Sequence, residues 1–409
     1  MKKNFLFTAV SIGSRLLTGL VIFVLLARLW GPVDFGMFSF AFSASALLTL
    51  IVDFGFSGYI LRELGAEPDS AVRLIKDAFW AKLSLLLILL VVASASGYLL
   101  GTSVFPLQLA LPLLLAAIAL SFADFFAAPL RALGRYDAET GIVTSTNALQ
   151  FVIAGSVAWS GGSPVAVAWA FFASRMFYLA LAIHVLYRVI PSLSLGKSDA
   201  TAPHLTFKRV WSYGIDGALT TAWGQLDVIV VRALYGTQAV GIYAAGQKII
   251  QGVSALAPVV GNVMIPKLAR QAKSGDSRLQ RTALLTAGAM LGIGSLFAAP
   301  MLAMPEQVSS FLFGEKFQGL GQLMPFFALI LALKYLAAGS GIVITSAGLQ
   351  AKRVISQIAA MAVFAALITL IFYNELEIKY FLLAYALSVF SMAALYARQW
   401  LAFRQQFNR

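Results

Sequence analysis

Eight ionisable residues stand inside long apolar runs of this chain: Arg15, Asp53, Asp124, Arg175, Asp216, Asp227, Lys248 and Lys334. If those runs cross a membrane, each such charge costs about 2.5–3.5 kcal/mol near a helix centre unless it reaches water or a partner. Residues of this kind face a bundle interior or an aqueous cavity. Arg15, Arg175, Lys248 and Lys334 fall near the middle of their runs, the first, sixth, eighth and tenth. Four cations at one depth, spread over both halves of the chain, suggest an anion site at the midplane. Asp53, Asp124 and Asp216 lie nearer one end of theirs, and Asp227 nearer the other. These acids are candidates either for ion pairing or for proton or sodium coupling. The plainer reading of any one cation is that it partners an acid.

The elements that must position these side chains are membrane helices. The chain has 409 residues, 60% hydrophobic and only 11% charged, with a mean hydropathy of +0.85. Soluble domains are about a quarter charged, so no polar shell could cover a core of this size. Apolar runs long enough to cross a bilayer are expected at 5–28, 37–60, 83–100, 107–129, 141–160, 164–187, 210–232, 238–265, 282–304, 320–347, 353–373 and 380–402. The fold class is thus all-α, with about twelve transmembrane helices. Alternate connections carry 22 basic residues against 4 in the other set. The positive-inside rule makes the richer side cytoplasmic and puts both termini there. Asp53, Asp124 and Asp216 then lie toward the cytoplasm. The net charge of +13 is a topological signature, and no nucleic-acid partner is implied.

The chain also repeats. Arg28 is followed by Gly31-Pro-Val-Asp-Phe-Gly36-Met-Phe38, and Arg232 by Gly236-Thr-Gln-Ala-Val-Gly241-Ile-Tyr243. A second echo pairs Pro112 and Gly134 with Pro325 and Gly348. Two bundles of six helices are expected, 1–190 and 210–409, joined by a cytoplasmic linker at 191–209. An even helix count keeps both in one orientation, which implies a pseudo-twofold axis along the membrane normal. Polar residues recur at helical spacing on four of the spans. Asn4, Thr8, Ser11, Arg15 and Thr18 mark the first, and Ser39, Ser43, Asp53 and Ser57 the second. The seventh carries Ser212, Asp216, Thr220, Trp223 and Asp227, and the eighth Tyr243, Gln247, Lys248, Gln251 and Ser254. These stripes predict that the four helices line a wet path between the halves.

Several function classes drop out. There is no cysteine, so disulfides and thiolate metal sites are excluded. His184 and His204 lie at a span end and in a connection, and no metal site or other cofactor is expected. No phosphate-binding Gly-x4-Gly-Lys-Ser/Thr, His-Glu-x-x-His or Gly-x-Ser-x-Gly motif is present, which argues for a transporter rather than an enzyme. The opening Met1-Lys2-Lys3-Asn4 resembles a signal peptide, but Arg15 interrupts the apolar run and no cleavage box follows. It is read as a retained first helix.

The segments Ser14-Arg15-Leu-Leu-Thr-Gly19, Ala27-Arg28-Leu-Trp-Gly31-Pro-Val-Asp-Phe-Gly36 and Asp53-Phe54-Gly55 resemble the polysaccharide (O-antigen, Wzx-like) flippases of the multidrug/oligosaccharidyl-lipid/polysaccharide exporter (MOP) superfamily. Asp227-x4-Arg232, Gly241-Ile-Tyr243-Ala-Ala and Phe311-Leu-Phe-Gly314-Glu-Lys-Phe317 are similar to that family's second-half signatures. The resemblance implies two six-helix bundles around a cavity that opens alternately to each side of a bacterial inner membrane. It implies an undecaprenyl-pyrophosphate-linked oligosaccharide as substrate, used in O-antigen or exopolysaccharide biosynthesis. A polysaccharide polymerase and other glycan-assembly proteins are the partners it suggests. In that reading Arg15, Lys248 and Lys334 hold the anion, with Arg175 as a fourth ligand. Multidrug exporters of the superfamily commonly carry a carboxylate in the first helix, where this chain has Arg15. A drug or cation antiporter and a non-transporting scaffold for glycan assembly are the alternatives.

Because the chain has no cysteine, single introduced cysteines report topology directly. Lys352→Cys should resist a membrane-impermeant maleimide added to intact cells, and Gly161→Cys should react; the opposite pattern would invert the assignment.

Overall fold

In the computed structural model, the described residues are 2–104, 107–196, 202–274 and 278–407. Hydrocarbon offers no partner to a backbone N–H or C=O, so a spanning segment must satisfy them within itself. Helices are the outcome here, and among the described residues there is no strand. They are α1 (Lys2–Trp30), α2 (Pro32–Asp53), α3 (Phe56–Ala66), α4 (Ala71–Val104), α5 (Leu107–Ala132), α6 (Tyr136–Trp159), α7 (Pro164–Val189) and α8 (Ala202–Ser254). After these come α9 (Ala257–Ser274), α10 (Leu279–Ala303), α11 (Pro305–Phe313), α12 (Leu320–Ser346), α13 (Gln350–Tyr373) and α14 (Ile378–Phe407). Eleven stretches among the described residues are long and apolar enough to cross a membrane. One of them, Thr221–Ser274, is 54 residues long and runs through both the seventh and eighth expected spans. The chain is a multi-pass membrane protein built as two helical bundles.

It divides into two compact units, Met1–Ala233 and Leu234–Arg409. The division falls later than the linker expected at 191–209, of which residues 197–201 lie outside the described residues. The first part of α8 therefore counts with the first unit. There Phe207 and Trp211 set their rings 6.4 and 5.7 Å from that of Phe54.

The repeat read from the sequence has a backbone basis. Gly31 and Gly236 share a conformation, φ 83°, ψ −179° and φ 82°, ψ −176°, which is essentially reserved to glycine. Each turns the chain sharply into the next helix. The aromatic residue that follows the motif enters a ring cluster in both units. Phe38 lies 5.6 Å from Phe171 of α7, and Tyr243 lies 5.5 Å from Phe381 of α14. The second echo is a helix ending. Gly134 (φ 77°) and Gly348 (φ 76°) close α5 and α12 with the same paired bonds, Arg135 N–H to the Leu130 carbonyl and Leu349 N–H to the Ile344 carbonyl. This is the glycine-dependent Schellman ending. A third pair, Gly161 and Glu375, ends α6 and α13 with positive φ, but no shared residue type announced it.

Two boundaries differ from expectation in ways that matter for the site. The second expected span, 37–60, is two helices, since the chain breaks at Phe54 and Gly55, both with positive φ. The third, expected from residue 83, begins at Ala71. Lys82, read as a cytoplasmic loop residue, therefore lies inside α4, on the same face as buried Ile75, Ala78 and Leu89.

Gly31→Ala and Gly236→Ala should each lower stability by about 1–3 kcal/mol, the cost of forcing a side chain into this backbone region. Gly19→Ala, at a helical position with nothing near the added methyl, should be close to neutral. Thermal unfolding in detergent is the measurement; two silent variants would refute the shared role.

Candidate functional site

The first unit contains two adjoining charged clusters built from six helices. Arg15 of α1 grips Asp124 of α5 with a two-pronged contact, Nη2 to Oδ1 at 2.8 Å and Nη1 to Oδ2 at 3.3 Å. Tyr178 of α7 completes the triangle. Its hydroxyl accepts from Arg15 Nη2 at 2.8 Å and donates to Asp124 Oδ1 at 2.8 Å. Fork-on-carboxylate geometry is the strongest form of charged hydrogen bond available to side chains. The network continues to Glu139 of α6, which is almost fully buried. Arg15 Nη2 stands 3.9 Å from its Oε1 and Arg131 Nη1 3.6 Å from it, while the Ser11 hydroxyl donates to it at 3.3 Å. Asn147 Nδ2 donates to the Ser14 hydroxyl at 3.1 Å, and the Thr140 hydroxyl donates to the Phe7 carbonyl at 2.9 Å.

A second cluster adjoins the first through α5, whose Ser121 lies one turn before Asp124. Lys82 is only 1% exposed. Its ammonium donates to the Ser121 hydroxyl at 2.6 Å and the Val52 carbonyl at 3.0 Å, and stands 3.5 Å from Asp53 Oδ1. Ser121 in turn donates to Asp53. The rings of Phe56, Phe122 and Phe125 surround the ammonium at 5.1–5.8 Å. Aromatic faces stabilise a desolvated cation, which is how a lysine tolerates this depth.

These contacts revise the picture drawn from the sequence. The stripe on α1 faces α5, α6 and α7 of its own unit, because Ser11, Ser14 and Arg15 all bond there. Arg15 is engaged by Asp124, as the plainer reading of a lone cation would have it. Asp53 has Lys82 and Ser121 as partners. Arg175, three residues before Tyr178, is half-buried near enough to Arg15 and Asp124 to feel their charges. It makes no hydrogen bond or ion pair within 4 Å among the described residues. Asp227 is buried and its Oδ1 accepts from the Val228 N–H at 2.8 Å. The side chain of Asp216 lies outside the described residues.

The second unit is charged differently. Its acids are Asp276, Glu306, Glu315, Glu375 and Glu377, and among the described residues none of them stands on one of its spanning helices. Its two intramembrane cations are both half-buried. Lys248 Nζ donates to Gln251 Oε1 at 3.1 Å, one turn along α8. Lys334 Nζ of α12 lies 5.2 Å from the centroid of the Tyr385 ring on α14. Beside Lys334, the Tyr335 hydroxyl donates to the Val253 carbonyl at 2.6 Å. Sequence reading missed Lys82, Arg131, Glu139 and Tyr178. Glu139 had a detectable signal, since Glu139, Thr146 and Gln150 form a polar stripe of α6 that is entirely buried.

The family profile described as polysaccharide biosynthesis protein matches residues 1–271, about two thirds of the chain. The chain belongs to this family. Its fold is that of transporters of the MOP superfamily. An inward-facing multidrug resistance MATE transporter of that superfamily superposes with a TM-score of 0.69 at 17% identity, over 96% of this chain and 94% of its own. An outward-facing MATE transporter gives 0.66 at 16%, over 100% and 96%. A MOP superfamily transporter from Pyrococcus furiosus, described as having a binding pocket of reversed polarity that suggests a different function, gives 0.60 at 16%, over 100% and 96%. No curated protein matches the chain.

Arg15→Met or Asp124→Leu alone should destabilise the protein by about 3 kcal/mol, since either leaves an uncompensated charge; this is the low end for buried pairs, because the side chains retain 32% and 29% exposure. The double variant should recover most of that loss. Thermal unfolding of all four proteins gives the coupling, and additive losses would contradict the pairing.

Proposed function

We propose that this chain is a flippase. Its substrate in this reading is an undecaprenyl-pyrophosphate-linked oligosaccharide, moved from the cytoplasmic to the periplasmic leaflet of a bacterial inner membrane. The observation that carries the reading is the charge of the second unit. Lys248, on the part of α8 that follows the kink at Gly236, and Lys334 of α12 stand on helical segments of the second unit that hold no carboxylate of their own. A field of one sign in a low-dielectric setting attracts an anion, and a pyrophosphate headgroup is the anion that a polysaccharide-assembly family would present. Gln251, beside Lys248, adds a hydrogen-bonding group suited to sugar. In the first unit Arg175 is the cation available to an acidic sugar, and Arg15 becomes available if Asp124 releases it.

Alternating access supports the route, since neighbours of this fold are described in both inward- and outward-facing conformations. The multidrug alternative draws on the same neighbours. It is disfavoured by the lysines, which would repel a cationic drug, since the second unit's spanning segments around them carry no carboxylate. Asp53 and Asp124 serve as ion-pair partners in this reading, and Asp227 is the carboxylate to test for ion coupling. A polysaccharide polymerase and other glycan-assembly proteins are the partners the reading implies.

In cells whose surface glycan depends on this protein, Lys248→Ala and Lys334→Ala should abolish export while membrane levels of the protein stay normal. Lys334→Arg should retain part of it. Full export by both lysine-to-alanine variants would sink the anion reading, and dye efflux without glycan export would favour the multidrug one.

A further inference from the structure

Each unit contains a broken helix, and the two breaks are held in related ways. In the first unit α2 ends at Asp53 and α3 starts at Phe56. In the second unit α8 ends at Ser254 and α9 starts at Ala257. Measured from the matched glycines Gly36 and Gly241, the second break comes one helical turn earlier than the first. A break inside hydrocarbon leaves carbonyls without the N–H of the next turn, so something else must bond them.

In both units a side chain from a neighbouring helix does so. Lys82 donates to the Val52 carbonyl, two residues before Phe54, and also stands over the ring of Phe56, the first residue of α3. One ammonium thus touches both sides of the break. Tyr335 donates to the Val253 carbonyl, which also accepts the Leu256 N–H at 3.1 Å. The spacing that relates Gly134 to Gly348 also relates Ser121 to Tyr335. Ser121 is the residue that bonds Lys82. The same station on α5 and on α12 therefore contributes to the hold on each break, through Lys82 in the first unit and directly in the second.

The first break carries strain as well. Phe54 has φ 25°, outside the conformations that a bulky side chain adopts readily. It packs on Gly214, where an added Cβ would lie 3.1 Å from the Phe54 carbonyl oxygen. A strained residue persists only where its surroundings over-determine it, and here the surroundings are Lys82, Ser121 and Gly214.

We propose that Lys82 and Tyr335 are positioning residues that hold a hinge in each repeat, with α3 and α9 moving about a fixed carbonyl while α2 and α8 keep their places. This goes beyond the flippase reading and stands whatever the substrate is. Hydrogen exchange of the full chain in lipid nanodiscs tests it. In the unaltered protein, amides at 55–58 and at 256, 257 and 259 should exchange faster than those of the flanking turns. Lys82→Met should speed exchange at 55–58 by about tenfold, the loss of one strong hydrogen bond, and leave 256, 257 and 259 unchanged. Tyr335→Phe should do the reverse, and Lys82→Arg should behave like the parent. Ser121→Ala keeps the charge and should give a smaller local rise, which guards against misfolding of the methionine variant. Unchanged exchange at the breaks, or acceleration spread over a whole unit, would overturn the proposal.

Discussion

Hydrocarbon supplies neither hydrogen bonds nor charge, and this constraint shapes every part of the molecule. It makes helices the spanning elements. Where helices break, it requires side chains such as Lys82 and Tyr335 to satisfy the backbone. It also explains why the charged residues of the first unit form a network. Arg15, Asp124 and Tyr178 close a triangle in which each group meets two others, and Glu139 lies against two guanidinium groups. Any one of these groups alone would be costly at that depth.

The two units share a backbone plan and differ in their chemistry. Gly31 and Gly236 turn the chain alike, and Gly134 and Gly348 end equivalent helices with equivalent bonds. Into this common frame the first unit places cations and carboxylates together, while the spanning helices of the second carry lysines and no acids. A duplicated scaffold can tolerate such divergence, because the turns and helix endings rest on glycine backbone geometry. The polar residues sit on faces that each unit can vary independently. Matched charge ties the helices of the first unit together, and charge of one sign in the second is what the proposed anion binding rests on.

Lys82 shows how closely structure and possible motion are tied. A lysine with 1% exposure is held by a hydroxyl, a carbonyl, a carboxylate and three rings. Packing of this kind fixes a local geometry while leaving the elements on either side separate. The positive φ of Phe54 stays in place for the same reason.

Amino-acid order alone determined the membrane class, the all-helical architecture and the repeat. Those properties follow from the length of apolar runs and from glycines whose backbone conformation no other residue adopts easily. The eight intramembrane charges were also legible, because hydropathy marks them against their surroundings. Which charge meets which was not. Arg15 and Asp124 are far apart along the chain, and only the packing of α1 against α6, with α5 and α7 within reach of its side chains, brings them together. Lys82 and Glu139 stand next to polar segments, so local composition assigned them to loops. Their burial depends on where α4 and α6 begin, which tertiary contacts decide. The third matched helix ending, Gly161 with Glu375, was hidden because similar backbone bonds there are made by different residue types. Periodicity records which face of a helix is polar, but whether that face meets water or another side chain depends on the neighbour packed against it.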